Sequence, residues 1–109
     1  MLDGKKDYAK AKENCIKAAN VGVLNCKFML GWINYKGLGV KQNYKKAAEW
    51  FKASTNFPPS SYNLGTLYFL GLGIPKDKKK AIKYFEKAAA RGNKEALRVL
   101  KGLNLNKLE

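Results

Sequence analysis

An internal repeat constrains this chain more than any other feature it has. Residues 30–54 laid over residues 64–88 put Leu30-Gly31 on Leu64-Gly65, Gly37-Leu38-Gly39-Val40 on Gly71-Leu72-Gly73-Ile74, and Lys46-Ala47 on Lys80-Ala81, always 34 residues on. A second, ungapped alignment carries Asp7–Leu30 onto Asp77–Leu100, 70 residues on, so that Ala11 meets Ala81, Ala18-Ala19 meets Ala88-Ala89 and Gly22 meets Gly92. The middle unit, Asn43–Leu64, is shorter by two residues, and its irregularity falls at 52–59. A period of this length signals stacked supersecondary units, none of which can bury its apolar face without its neighbours.

Each unit reads as a helical hairpin. Over 77–91 the apolar residues Ala81, Ile82, Tyr84, Phe85, Ala88 and Ala89 recur at helical spacing, with lysines on the opposite face. Asp7, Asn43 and Asp77 precede such stretches, where a short side-chain oxygen can accept an orphan backbone N–H. Gly22 and Gly92 follow them as left-handed caps, with Asn56 expected to serve in the middle unit and Pro58 or Pro59 to open the next helix. Gly37, Gly39, Gly71 and Gly73 are expected to turn the chain between helices at positive φ. The spacing predicts six helices, about 6–20, 24–36, 43–55, 59–70, 77–91 and 94–103, in one all-α domain over residues 1–109.

Composition narrows the function. Hydrophobic residues at 46% and charged residues at 28% suit a globular chain of one core rather than a disordered one. There are 22 Lys+Arg against 8 Asp+Glu, a net of +14, which favours anionic partners. Histidine, the commonest general base and metal ligand, is absent, and two cysteines cannot complete a zinc site. Neither a Walker loop nor a dinucleotide fingerprint nor a paired-carboxylate site is present, so no enzyme activity, metal or cofactor is expected. No apolar run approaches the length of a membrane span, and the start Met1–Lys6 lacks the apolar stretch of a secretory signal. The chain as given therefore reads as cytoplasmic, or as periplasmic or secreted if a signal peptide has been removed.

The string Met29-Leu30-Gly31-Trp32-Ile33-Asn34-Tyr35-Lys36-Gly37-Leu38-Gly39-Val40, continued by Asn43 to Ala53, resembles the SEL-one-like repeat, as does Asn63-Leu64-Gly65-Thr66-Leu67-Tyr68 through Gly71–Asp77 to Ala88-Ala89. The resemblance covers roughly residues 6–103. It implies a right-handed, tetratricopeptide-like α-solenoid of stacked antiparallel hairpins, used in bacteria as an adaptor or scaffold in secretion, host contact or signalling. The chain departs from the pattern where Asn34 stands in place of a tyrosine and where the middle unit loses its glycine. Its first helix also lacks a preceding partner, as in a fragment of a longer array or a compact variant with an open end. Self-association through that helix, with Tyr8 and Ala11 exposed, is one expectation.

Several conspicuous features have a plain reading. Cys15 and Cys26 flank the first predicted turn. A cysteine-rich secreted branch of the resembled family staples its helices with disulfides, but its cysteines fall at positions 19 and 27 here, so two buried reduced thiols are expected. The run Lys76-Asp77-Lys78-Lys79-Lys80 reads as a solvated helix face. Tyr8, Phe51, Tyr68 and Phe85 read as core.

The function these readings support is a non-enzymatic protein-interaction module, an adaptor, scaffold or inhibitor that grips a protein partner, with an acidic one favoured by the charge. The alternative is an RNA- or anionic-membrane-binding protein driven by its charge. The resemblance implies that the first helix of each hairpin lines a concave groove, which assigns partner binding to Phe28, Trp32, Tyr35 and Lys36 on one helix and to Tyr62, Thr66, Phe69 and Leu70 on another. The competing reading of this aromatic stripe is core packing.

Overall fold

The computed structural model describes residues 13–14 and 24–108, the stretches 24–25 and 104–108 by backbone alone. Among these residues the chain is all helix and turn: α1 (Leu24–Lys36), α2 (Tyr44–Lys52), α3 (Pro58–Leu70), α4 (Lys78–Ala90) and α5 (Lys94–Leu108). Glu13 and Asn14 are helical. The remainder of the helix expected at 6–20, with Asp7, Tyr8, Ala11, Cys15 and Gly22, lies outside the described residues. Each helix packs on the next, and α1 also touches α3.

Local chemistry sets the helix ends. Asn43 and Asp77 sit in extended backbone before α2 and α4, and their side chains accept hydrogen bonds from the N–H groups of Lys46 and Lys80, at 2.9 and 3.1 Å. Asn93 does the same for Ala96 at 2.7 Å. Pro58 opens α3 where no N–H donor is needed.

The middle unit ends its helix differently from the expectation. It stops at Lys52 instead of 55, and Asn56 does not adopt a left-handed conformation, since every positive-φ residue described is a glycine. Ser54 makes the stop. It is fully buried, its hydroxyl donates back to the Trp50 carbonyl at 2.9 Å and meets the Ser60 hydroxyl at 2.7 Å, and tight backbone bonds link Ser54 to Phe51 and Phe57 to Ser54. A serine folded back on its own helix competes with continuation of that helix. This lets the unit turn with two residues fewer and no glycine.

The core is built at two equivalent junctions. A side chain on Gly31 would put its Cβ 2.5 Å from the Phe51 ring, and one on Gly65 would lie 2.8 Å from the Phe85 ring. The leucine-glycine pair thus supplies a buried leucine and, beside it, a bare backbone patch that seats a phenylalanine of the following helix. Around these pack Ala47, Ala48, Leu64, Leu67, Ala81, Ala88 and Ala96. Asn34, in the place of Tyr68, is also buried, and its amide donates to the Leu30 carbonyl at 2.9 Å, so the substitution leaves no unsatisfied polar group.

Cys26, which packs against Leu30, is disulfide-bonded, correcting the expectation of a reduced thiol. The other cysteine, Cys15, lies outside the described residues.

Candidate functional site: an aromatic groove between alternate helices

Helical spacing on α1 builds a ladder of rings. Phe28, Trp32 and Tyr35 are separated by four and three residues, which places them one above another on one helix face. Phe28 and Trp32 stack at 6.2 Å between ring centres, and Trp32 and Tyr35 stack at 5.6 Å with their planes within 10°. The ammonium of Lys36, a turn beyond Trp32, lies 5.1 Å over the indole. The ladder's ends are anchored inward: Phe28 meets Phe51 at 5.9 Å and Phe57 at 5.3 Å, while Tyr35 meets Tyr44 edge-on at 5.4 Å. Gln42 donates both to the Tyr35 carbonyl and to the Tyr44 hydroxyl.

These rings form one wall of an open groove of about 760 Å³. The opposite wall comes from α3, with Pro59, Tyr62, Asn63 and Thr66, and the far side from the turn and first coils of α5, with Asn93, Lys94, Glu95 and Arg98. Tyr62 rests against Phe85 at 5.7 Å. The Thr66 hydroxyl is engaged within its own helix, donating to the Tyr62 carbonyl at 3.1 Å. Lys36, Lys94 and Arg98 outweigh the single carboxylate of Glu95. Burial, reinforced by the neighbouring hydroxyls of Tyr44 and Tyr62, raises the Tyr35 phenol above its ordinary value of 10.0, so this wall stays uncharged at neutral pH.

Of the residues singled out in the sequence, Phe28, Trp32, Tyr35, Lys36, Tyr62 and Thr66 come together on this groove. Phe69 and Leu70 do not. Phe69 packs on the core at 6.5 Å from Phe85 with the Lys78 ammonium over its ring, and Leu70 projects at the end of α3, 56% exposed. The stripe borders the core and the groove at once. Phe28, Tyr35 and Tyr62 border the main core, whereas Trp32 is supported by its stacked neighbours and stays half-exposed.

Arg98, Lys94 and Asn93 were missed by reasoning from the leucine-glycine pair, which α5 lacks. The signal was nevertheless present. The alignment that carries Leu30 onto Leu100 carries Phe28 onto Arg98. Arg98 is therefore the third-unit counterpart of Phe28 and Tyr62, at the same place on the third groove-lining helix.

The comparisons with known proteins bear on what this geometry is for. The family model described as the Sel1 repeat matches residues 2–23, 25–56 and 58–93. The crystal structure of a Sel1 repeat protein from Oxalobacter formigenes is similar at 33% identity and a TM-score of 0.77, covering 81% of this chain and 68% of that one. Helicobacter pylori cysteine rich protein B is similar at 29% identity and a TM-score of 0.79, over 84% of this chain and 70% of that one. A protective antigen of uropathogenic Escherichia coli, c5321, which displays an SLR fold, shares 32% identity with a TM-score of 0.72 over 75% of this chain but only 18% of its own length. Among curated proteins none matches the chain.

Proposed function

The chain belongs to the Sel1 repeat family, and from that premise we propose that it is an adaptor or inhibitor-type module that grips an acidic segment of a protein partner in the groove between α1, α3 and α5. Sel1 repeat proteins mediate protein–protein interactions, and the family is typically a non-catalytic scaffold. The observation that carries the finer reading is the ring ladder Phe28–Trp32–Tyr35 facing Tyr62 across an open cleft whose charged lining is Lys36, Lys94 and Arg98 against Glu95. Rigid aromatic side chains in a concave site, ringed by polar groups, are the usual anchors of binding energy. Cations at the rim favour carboxylates and steer their approach.

Among the described residues no cluster of potential metal ligands gathers, and the groove holds a single carboxylate and no nucleophile paired with a base. No described helix is long and apolar enough to cross a membrane. The disulfide at Cys26 favours a periplasmic or secreted setting over the cytoplasm.

Affinity capture at moderate salt, with wild-type and Trp32→Ala proteins side by side, tests the reading. Partners recovered by the wild type should be depleted with Trp32→Ala, at a cost of about 2 kcal/mol in affinity. Equal recovery by both proteins would move the binding surface elsewhere.

A further inference from the structure

The lysine run at 76–80 plays no part in the groove, and in the fold it does not stand alone. A side chain on Gly73 would put its Cβ 2.5 Å from the Lys45 backbone nitrogen, so the loop before α4 lies directly on the first turn of α2. Beyond the other end of α2, the Lys87 ammonium donates to the Thr55 hydroxyl at 2.9 Å. Helices α2 and α4 therefore run in the same direction, touching near their ends, and neither contributes to the groove lining. The 34-residue repeat then gives Lys79 and Lys80 in the first turn of α4 the same positions as Lys45 and Lys46 in the first turn of α2, all four exposed. Lys52 and Lys80 approach the same Tyr68 ring, at 5.9 and 5.5 Å.

Two details set this edge apart from an ordinary solvated face. Apart from the capping carboxylate of Asp77, neither helix has an acidic residue in its first turn, where carboxylates are favoured and cations oppose the helix dipole. The positive charge is thus concentrated where local helix stability would remove it. In addition, Leu70, 56% exposed, stands at the edge: Gly71 beside it packs on Lys76, and Lys78 lies over the neighbouring Phe69.

We propose that this edge, formed by Lys45, Lys46, Lys76, Lys78 and Lys79 around Leu70, docks the protein on an anionic lipid bilayer, independently of the groove. Nucleic acid fits it less well. The cations of α2 and α4 are all lysines, compact charges without the planar fork that reads base edges and phosphates in pairs. Among the described residues of this edge no aromatic ring stands free for a base to stack on, because Tyr44, Trp50, Phe69 and Tyr84 are half-buried and Tyr68 and Phe85 buried. An exposed leucine among lysines gives a bilayer both headgroup attraction and an apolar contact.

The test is co-sedimentation of the full chain with vesicles of phosphatidylglycerol and phosphatidylcholine, and with phosphatidylcholine alone, at low and high salt. Binding should require the anionic lipid and fall steeply with salt. Each lysine near such a surface is worth about fivefold in affinity, so the triple change Lys45→Glu, Lys46→Glu, Lys79→Glu should weaken it by more than about a hundredfold. Glutamate suits those first turns, so the variant keeps its helices, which circular dichroism checks. Leu70→Ser should weaken binding by about tenfold, and Trp32→Ala should leave it unchanged. The proposal is overturned by absent binding at low salt, by equal binding to neutral vesicles or by an unaffected triple variant. Tighter binding of a single-stranded RNA oligonucleotide than of vesicles at the same salt would also overturn it, in favour of nucleic acid.

Discussion

In the α1–α2 hairpin, Gly31 admits the Phe51 ring and Leu30 is fully buried; in the α3–α4 hairpin, Gly65 admits Phe85 and Leu64 is fully buried. Away from that junction the two hairpins part. Trp32, Tyr35 and Lys36 in the first correspond to Thr66, Phe69 and Leu70 in the second, so one unit carries a ring ladder capped by a cation and the other a short threonine followed by a lysine-flanked leucine. Asn34 and Tyr68 differ in chemistry yet are both buried, the first closed on its own helix and the second stacked on Tyr84 at 5.7 Å. The repeat dictates what meets the neighbouring helix. It leaves free what faces outward, and there the two units carry different side chains.

The largest expected effect probes the shared part. Phe51→Ala and Phe85→Ala should each cost about 3–5 kcal/mol of stability, because each empties a fully enclosed site against bare backbone. Denaturant unfolding that shows one of them near neutral would end the equivalence of the two junctions.

The glycine loops should break the symmetry. Gly73 and Gly92 both hold positive φ, at 73° and 95°, but a side chain at Gly73 also collides with the α2 backbone, whereas one at Gly92 meets nothing within 4 Å. Gly73→Val should therefore cost about 3 kcal/mol or more, and Gly92→Val nearer 1–2 kcal/mol, the strain of the backbone alone. Equal thermal shifts would mean that the contact between the loop and α2 carries no weight.

Smaller effects sharpen the difference between the units. Trp32→Ala should lower stability by about 1 kcal/mol, since the indole is held by stacking outside the main core. Stability should also fall as pH rises above about 10. The folded state raises the Tyr35 phenol, so its contribution is complete below the unfolded value and lost as the folded group ionises. Tyr35→Phe should remove that part of the alkaline loss, measured as the unfolding midpoint against pH. Reduction of the purified protein should add two hydrogens to its mass, reporting the disulfide at Cys26.

Much of this architecture was legible in the residues. Period, caps and loop glycines located Asn43, Asp77, Pro58 and the Gly-Leu-Gly turns, because each answers a local backbone need. The turn at Ser54 was not legible, since a serine that closes a helix looks in sequence like any other small polar residue. The disulfide at Cys26 was not legible either, since the redox state of a cysteine leaves no local pattern in the residues around it. At the site, Phe28, Trp32, Tyr35 and Tyr62 follow from helical spacing, whereas Arg98 arrives from a helix without the leucine-glycine marker. Phe69 and Leu70 share the register of Tyr35 and Lys36, and diverge because packing against Phe85 and Lys78, not spacing, sets their surroundings.

The central claim is that the ladder of α1, and not the end of α3, is where the partner is held. Isothermal titration of the captured partner against wild-type, Trp32→Ala and Leu70→Ala proteins tests it most directly. The account predicts that Trp32→Ala binds about 30-fold more weakly while remaining folded, and that Leu70→Ala binds as the wild type does. A folded Trp32→Ala protein that binds undiminished, or a loss confined to Leu70→Ala, would contradict it.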